Sequence, residues 1–132
     1  MKAVQAVVLV LGIATAWAAT GSPIQRVPLP AAERRNPFGR DEQARRAGAK
    51  LYARQCASCH GANREGRSPA PPLDRPDIVK AAPGTLFWVL RNGSLYRGMP
   101  SFGHLPEAQR WQIVTFLQAT TRIDVQPLAE RL

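Results

Sequence analysis

The sequence predicts an all-α domain, three or more short helices joined by long irregular loops. Three observations predict it. Apolar residues recur at helical spacing over Asp41 to Cys56, Thr85 to Gly93 and from Pro106 onward. No segment shows the two-residue alternation of a half-buried strand, and the stretches between the helical segments are rich in glycine and proline. At 132 residues the chain has room for one small domain.

Taken in order, residues 1–18 read as a signal peptide. Met1 and Lys2 open it, the uncharged apolar run from Ala3 to Trp17 follows, and Ala16-Trp17-Ala18 supplies the small-x-small cleavage pattern. The run is shorter than the roughly 20 residues of a spanning helix. Retention as a membrane anchor is the other reading of the same residues. Export carries the chain into an oxidising compartment such as the periplasm, where two thiols pair or are otherwise consumed.

Residues 19–40 read as an extended Pro-rich arm. Thr20 to Arg40 contains four prolines and no apolar periodicity, so it is expected to be ordered only where it lies against the domain. The domain itself is expected over 41–120, with a C-terminal tail at 121–132. The formal net charge is +9, from three lysines and fifteen arginines against nine acidic residues. Beyond Lys2 these basic residues are spread from Arg26 to Arg131 instead of forming one block. Such a surface suits acidic protein, anionic lipid or nucleic acid. Export leaves little nucleic acid to meet, so the charge reads as a solvated face that in part steers an acidic partner.

Asp41 opens the first helix, and with Glu42 it complements the positive helix end. Ala44, Ala47, Gly48, Leu51 and Tyr52 share one face, with Arg45, Arg46, Lys50 and Arg54 opposite. Gly48 inside that stripe costs about 1 kcal/mol against alanine, so another element is expected to press on the backbone there. Gly61 to Pro76 reads as loop. Thr85 to Gly93 reads as a short helix with Thr85 as N-cap and Gly93 ending it. A second loop, SLYRGMPSFGHL, precedes the last helix. That helix starts at Pro106 and places Ile113, Phe116, Leu117 and Thr120 on one face. Helices this short bury too little apolar surface to hold the chain unaided, so a staple is expected.

Gln55 to Gly66 reads QCASCHGANREG and holds the chain's two cysteines, Cys56 and Cys59, with His60 directly after. A thioredoxin-like pair would sit beside a βαβ pattern, and none is visible. A zinc site needs two further ligands, and His104 supplies one at most. A bare disulfide would close a very small loop and stabilise little. C-x-x-C-H is also the signature of covalent haem attachment. Each thiol adds across one vinyl group, and the adjacent histidine is carried beneath the ring toward the iron. One motif implies one haem c. For the sixth position the mature chain offers Met99, in the loop YRGMPSFG and stiffened by Pro100, and His104. Met99 is the expected ligand; core filling by Met99 and bis-histidine ligation through His104 are the alternatives.

CASCH, Pro71-Pro72-Leu73, LFWVLRNG, RGMPSF and the closing aromatic helix together resemble the class I, mono-haem c-type cytochromes, of the kind serving periplasmic dehydrogenases. The resemblance runs from about Asp41 to about Gln118 and implies the small cytochrome c fold wrapped around one covalently bound haem. It assigns Cys56 and Cys59 as thioether anchors, His60 as proximal ligand and Met99 as distal ligand. It gives Pro71 the backbone carbonyl that accepts the hydrogen bond of His60. It pairs Gly48 and Tyr52 with Phe116 and Trp111 where first and last helices cross. Trp88, Arg91 and Tyr96 become candidates for the haem propionates, against plain packing for Trp88 and solvation for Arg91. One departure is the start of the last helix, LPEAQ, which lacks the usual cap, so its first turn is expected to fray.

The function so implied is a one-electron carrier, not an enzyme. It would work between a periplasmic dehydrogenase or respiratory complex and a downstream acceptor. Its partners would be redox proteins with acidic docking surfaces, met as a monomer or in a transient complex, with no nucleic acid and no stable membrane insertion. Two alternatives stand beside it: a haem subunit of a larger dehydrogenase, and a ligand-binding or peroxidase-like haem protein with a displaceable sixth ligand.

Overall fold

The computed structural model describes residues 22–119; the signal-peptide reading and the tail at 121–132 lie outside them. Asp41 caps the longest helix, its carboxylate accepting from Gln43 N at 2.8 Å and Ala44 N at 3.0 Å. We number the helices in chain order: α1 (Leu29–Ala32), α2 (Glu42–Gln55), α3 (Ala57–His60), α4 (Pro76–Val79), α5 (Pro83–Asn92) and α6 (Glu107–Gln118). Single 3₁₀ turns cover Pro23–Arg26 and Leu95–Arg97. No strand forms among the described residues.

The main packing is α2 against α6. Gly48 makes it possible, since a β-carbon there would fall on the Gln112 carbonyl and against the Phe116 side chain. The costly glycine in the apolar stripe is thus the place where two backbones touch. One turn on, the Tyr52 ring lies 5.2 Å from that of Phe116. Leu51, Tyr52, Leu86, Phe87, Leu90, Ile113, Val114 and Leu117 close the core between α2, α5 and α6.

α5 begins two residues before the expected cap. Proline at its first position has the helical φ built in and gives up an N–H that would have had no partner. Thr85 is therefore a buried residue of the first turn and not the cap.

The segment read as an extended arm lies along the domain with helical turns of its own. Gly84 lets α1 approach α5, because a β-carbon there would strike the Ala31 carbonyl. Arg34 lies 4.6 Å from the Phe87 ring centroid and 5.4 Å from that of Trp111, two rings stacked at 3.9 Å. It also pairs with Glu107 at 2.6 Å. Asn36 Nδ2 donates to Thr115 Oγ1 at 2.9 Å, and Thr115 Oγ1 donates to the Phe38 carbonyl. α6 does lack a side-chain cap. Its first turn is nonetheless held, through Glu107, by Arg34 and by Trp111 Nε1. Arg110 is buried on the same helix; its guanidinium lies 4.6 Å from the Phe87 centroid and its Nε donates to the Leu105 carbonyl. Burial lowers its pKa from the ordinary arginine value.

Candidate haem site

The motif begins where α2 ends. Cys56 closes α2 through its N–H to Tyr52 O, and the one-turn helix α3 carries Cys59 and His60 onward, with His60 N–H bonded to Cys56 O at 2.9 Å. Gly61 stops α3 at φ +85, a left-handed setting that favours glycine. The two thiols are free and differ in setting: Cys56 is buried among core side chains and Cys59 faces outward. Burial, and then the neighbouring Cys59, push the Cys56 thiol up to about 11. Redox-active C-x-x-C pairs depend on the opposite shift, so the thioredoxin reading loses its chemistry. Among the described residues no three His, Cys, Asp or Glu side chains gather to hold a metal, so the zinc reading finds no third ligand beside Cys56 and Cys59 there.

Several bonds hold the proximal turn. The buried Tyr52 hydroxyl donates to Gly61 O at 2.7 Å, and burial pushes its pKa up to about 12. Gly66 N donates to His60 O at 2.7 Å, and Leu73 N to Arg64 O at 2.8 Å. Glu65 accepts from Asn63 N at 2.8 Å, which together with its own backbone N–H lowers its pKa. Arg64 reaches the far end of α6, donating to Leu117 O at 3.1 Å with its guanidinium 5.3 Å from the Phe116 centroid.

The same loop brings Pro71 to His60, and His60 Nδ1 lies 2.8 Å from the Pro71 carbonyl oxygen. A carbonyl only accepts, so Nδ1 carries a proton, and in the neutral imidazole the lone pair is then on Nε2. Gly66 allows the approach. It sits at φ +80, and a β-carbon there would lie 2.6 Å from Pro72 N and 2.9 Å from the Pro71 carbonyl carbon.

On the other side of the sequence, Gly93 ends α5 at φ +67 and the chain turns back on itself. Ser94 and Met99 bridge through two backbone bonds, of 2.9 and 3.1 Å. The Met99 side chain is half-buried and packs against the cluster that contains Cys56. His104 is exposed and lies near the Phe102 ring, outside that cluster. Of the propionate candidates, Trp88 is half-buried, Arg91 is exposed, and the Tyr96 hydroxyl accepts from Arg26.

These residues fit a haem bonded through sulfur: two free thiols spaced by one helical turn, and an imidazole whose proton is held on the nitrogen facing away from a ligand position. Tyr52, Arg64 and Gly66 complete the support, and local sequence reasoning missed all three. The glycines at 61 and 66, bracketing ANRE, were the visible sign of a loop with left-handed positions.

Comparison with known proteins agrees with this geometry. A family profile described as cytochrome c oxidase, cbb3-type, subunit III matches residues 43–117. Among solved structures, cytochrome CL from the marine methylotrophic bacterium Methylophaga aminisulfidivorans aligns with a TM-score of 0.51 at 25% identity. The alignment covers 62% of this chain and 58% of that one, so it spans less than two thirds of the relative. A search of the curated proteins returned no match.

Fold and site define a c-type cytochrome domain. The chain belongs to the c-type cytochrome family that the cbb3-type subunit III profile describes. Its cofactor is covalently attached haem c, and a domain of this family carries out haem-based electron transfer. No helix among the described residues is long and apolar enough to cross a membrane.

Proposed function

We propose that the chain is an exported mono-haem carrier that takes single electrons from a periplasmic dehydrogenase or respiratory complex and delivers them to a downstream acceptor. Cys56 and Cys59 would hold the porphyrin through their sulfurs, and His60 Nε2 and Met99 sulfur would ligate its iron. The observation that carries this reading is the His60–Pro71 hydrogen bond. It holds the proton on Nδ1, orients the ring and makes Nε2 the more basic donor. Bound there, haem c supplies an iron that alternates between ferrous and ferric states without exchanging ligands.

The chain's own residues do the rest. Pro71 O and the Tyr52–Gly61 bond hold the proximal turn rigid, which keeps ligand rearrangement small between redox states. Met99 sulfur and the apolar cluster around Cys56 favour the less charged, reduced state. Residues 1–18 direct export, and the excess of arginine draws in acidic partners.

Mutation tests the ligand set. Met99→Ala is expected to keep haem attached, admit carbon monoxide or cyanide at neutral pH, and lower the reduction potential. His104→Ala is expected to change none of these. The reverse pattern, or free binding of carbon monoxide by the wild type, overturns the assignment.

The family description favours a second reading, in which the domain serves as a fixed subunit of a larger oxidase or dehydrogenase. Size-exclusion chromatography of the native protein from its own cells separates the two readings. A free carrier elutes near the mass of the domain, and a subunit elutes with its complex.

A further inference from the structure

Among the described residues, the large apolar side chains left exposed are Leu29, Leu95 and Tyr96, with relative exposures of 77%, 76% and 67%. Two of them are sequence neighbours on the 3₁₀ turn Leu95–Arg97, inside the loop that the Ser94–Met99 bridge closes. Leu29 apart, the other large apolar groups among the described residues are buried or partly buried, so the pair stands out by position more than by hydrophobicity.

Tyr96 is not loose. Arg26 reaches it from the N-terminal segment, donating from Nη1 to the Tyr96 hydroxyl at 3.0 Å with its guanidinium 5.7 Å from the ring centroid. The Arg97 guanidinium lies 5.9 Å from the same centroid. None of the four ion pairs among the described residues involves Arg26. A phenol braced by cations and flanked by an exposed leucine makes a small, rigid, positive and partly apolar surface. Tyrosine and arginine are the residue types that dominate interface centres, and a side chain already held in place loses less entropy when a partner arrives. Leu95, Tyr96 and Arg97 lie two to four residues from Met99 in sequence, in the loop that Ser94 ties to the Met99 backbone. Arg26 lies outside residues 43–117, so the segment ahead of the family-matched region helps to build the surface.

We infer that Arg26, Leu95, Tyr96 and Arg97 form a docking surface for an acidic redox protein, one that presents carboxylates around an apolar centre. This rests on the electron-carrier reading and adds where the partner sits. Charge argues for a protein partner of this kind: the chain carries +9, and the planar guanidinium matches a carboxylate in a two-point bond. In the exchange itself one electron passes between the partner's redox centre and the haem iron, and no proton or group moves.

Reduced flavodoxin, an acidic electron donor, and the neutral lumiflavin radical test this on the ferric holoprotein. Each donates one electron to the iron, and only flavodoxin needs to dock. Arg26→Glu is expected to slow reduction by flavodoxin about tenfold at low salt, with the difference shrinking as salt rises. Lys50→Glu, an equal charge change on the exposed face of α2, is expected to slow it less than about twofold. Lumiflavin should reduce all three proteins at one rate. Leu95→Ala, which changes no charge, should slow the flavodoxin reaction alone. Equal effects from Arg26→Glu and Lys50→Glu, or none from Leu95→Ala, overturn the docking surface and leave the carrier reading intact. So does a loss, on Arg26→Glu, of binding to phosphatidylglycerol vesicles with the flavodoxin rate unchanged, which assigns the patch to a membrane. A wild type that lumiflavin cannot reduce overturns both.

Discussion

The proximal turn, Cys56 to Leu73, and the distal loop, Gly93 to His104, would supply the two faces of the proposed site and are built on opposite plans. The proximal turn is cross-tied to two other parts of the molecule and once across itself. Tyr52 holds it from α2, Arg64 anchors it to the end of α6, and Pro71 meets His60 from further along the loop. The distal loop depends mainly on close neighbours in sequence, the Ser94–Met99 bridge and the bonds of Phe102 and Ser101 to the end of α5, with Arg26 reaching Tyr96 from the N-terminal segment. It also leaves Leu95 and Tyr96 in solvent. The difference teaches a division of labour. As an iron ligand His60 would have to keep one proton, one ring plane and one distance through every redox cycle, and the bonds of Tyr52, Arg64 and Pro71 would secure all three. As a thioether ligand Met99 would have no proton to control and rotatable bonds to spare, which would leave its loop to serve as surface.

The comparison is most exposed to test at its glycines. Gly66 and Gly98 both have positive φ, at +80 and +82. At Gly66 a β-carbon meets the Pro71-Pro72 backbone, whereas at Gly98 it meets nothing within 4 Å. Gly66→Ala is therefore expected to cost about 3 kcal/mol, from backbone strain plus displacement of the Pro71 carbonyl. Guanidinium unfolding of the holoprotein measures the loss. A shift in reduction potential should accompany it, because the His60 hydrogen bond moves.

Tyr52→Phe should come next, at about 1–2 kcal/mol, since it strands the Gly61 carbonyl without its donor. Its pH signature is specific. Burial raises the folded-state pKa of Tyr52 to about 12 from an ordinary value near 10. The unfolded chain therefore gives up this proton first, and wild-type stability is lost as pH climbs from about 10 toward 12. The Phe variant should fall less steeply across that window. Parallel curves would show that the phenol does not report on folding.

Gly98→Ala should be the mildest, at about 1 kcal/mol, because only the left-handed backbone is penalised. Met99 ligation should survive it, read from unchanged visible spectra. Should Gly98→Ala cost as much as Gly66→Ala, the two regions are equally constrained and the division of labour fails.

Much of this was legible in the residues. C-x-x-C-H states its chemistry through spacing alone, because two thiols and an imidazole on one helical turn follow from covalent geometry. Gly48 announced a close contact by being a glycine in an apolar stripe, and the contact is α6. The start of α5 was misjudged because Thr85 looked like a cap while Pro83, two residues earlier, already met the steric requirement for a first position. The order within residues 22–40 was not legible at all. Its anchors, Arg34 on Phe87 and Trp111 and Asn36 on Thr115, join groups more than fifty residues apart, and no local pattern encodes such pairs.

Spacing and periodicity, then, determined the helices and the order of the attachment motif, since both depend on bonds and angles within a few residues. Tertiary packing decided what those residues are chemically. Cys56 is buried and Cys59 exposed although they are one helical turn apart, and His60 has its proton on Nδ1 because a loop returning eleven residues later sets a carbonyl against it. The protonation state of a side chain is a property of its surroundings, and those are assembled only when distant segments meet.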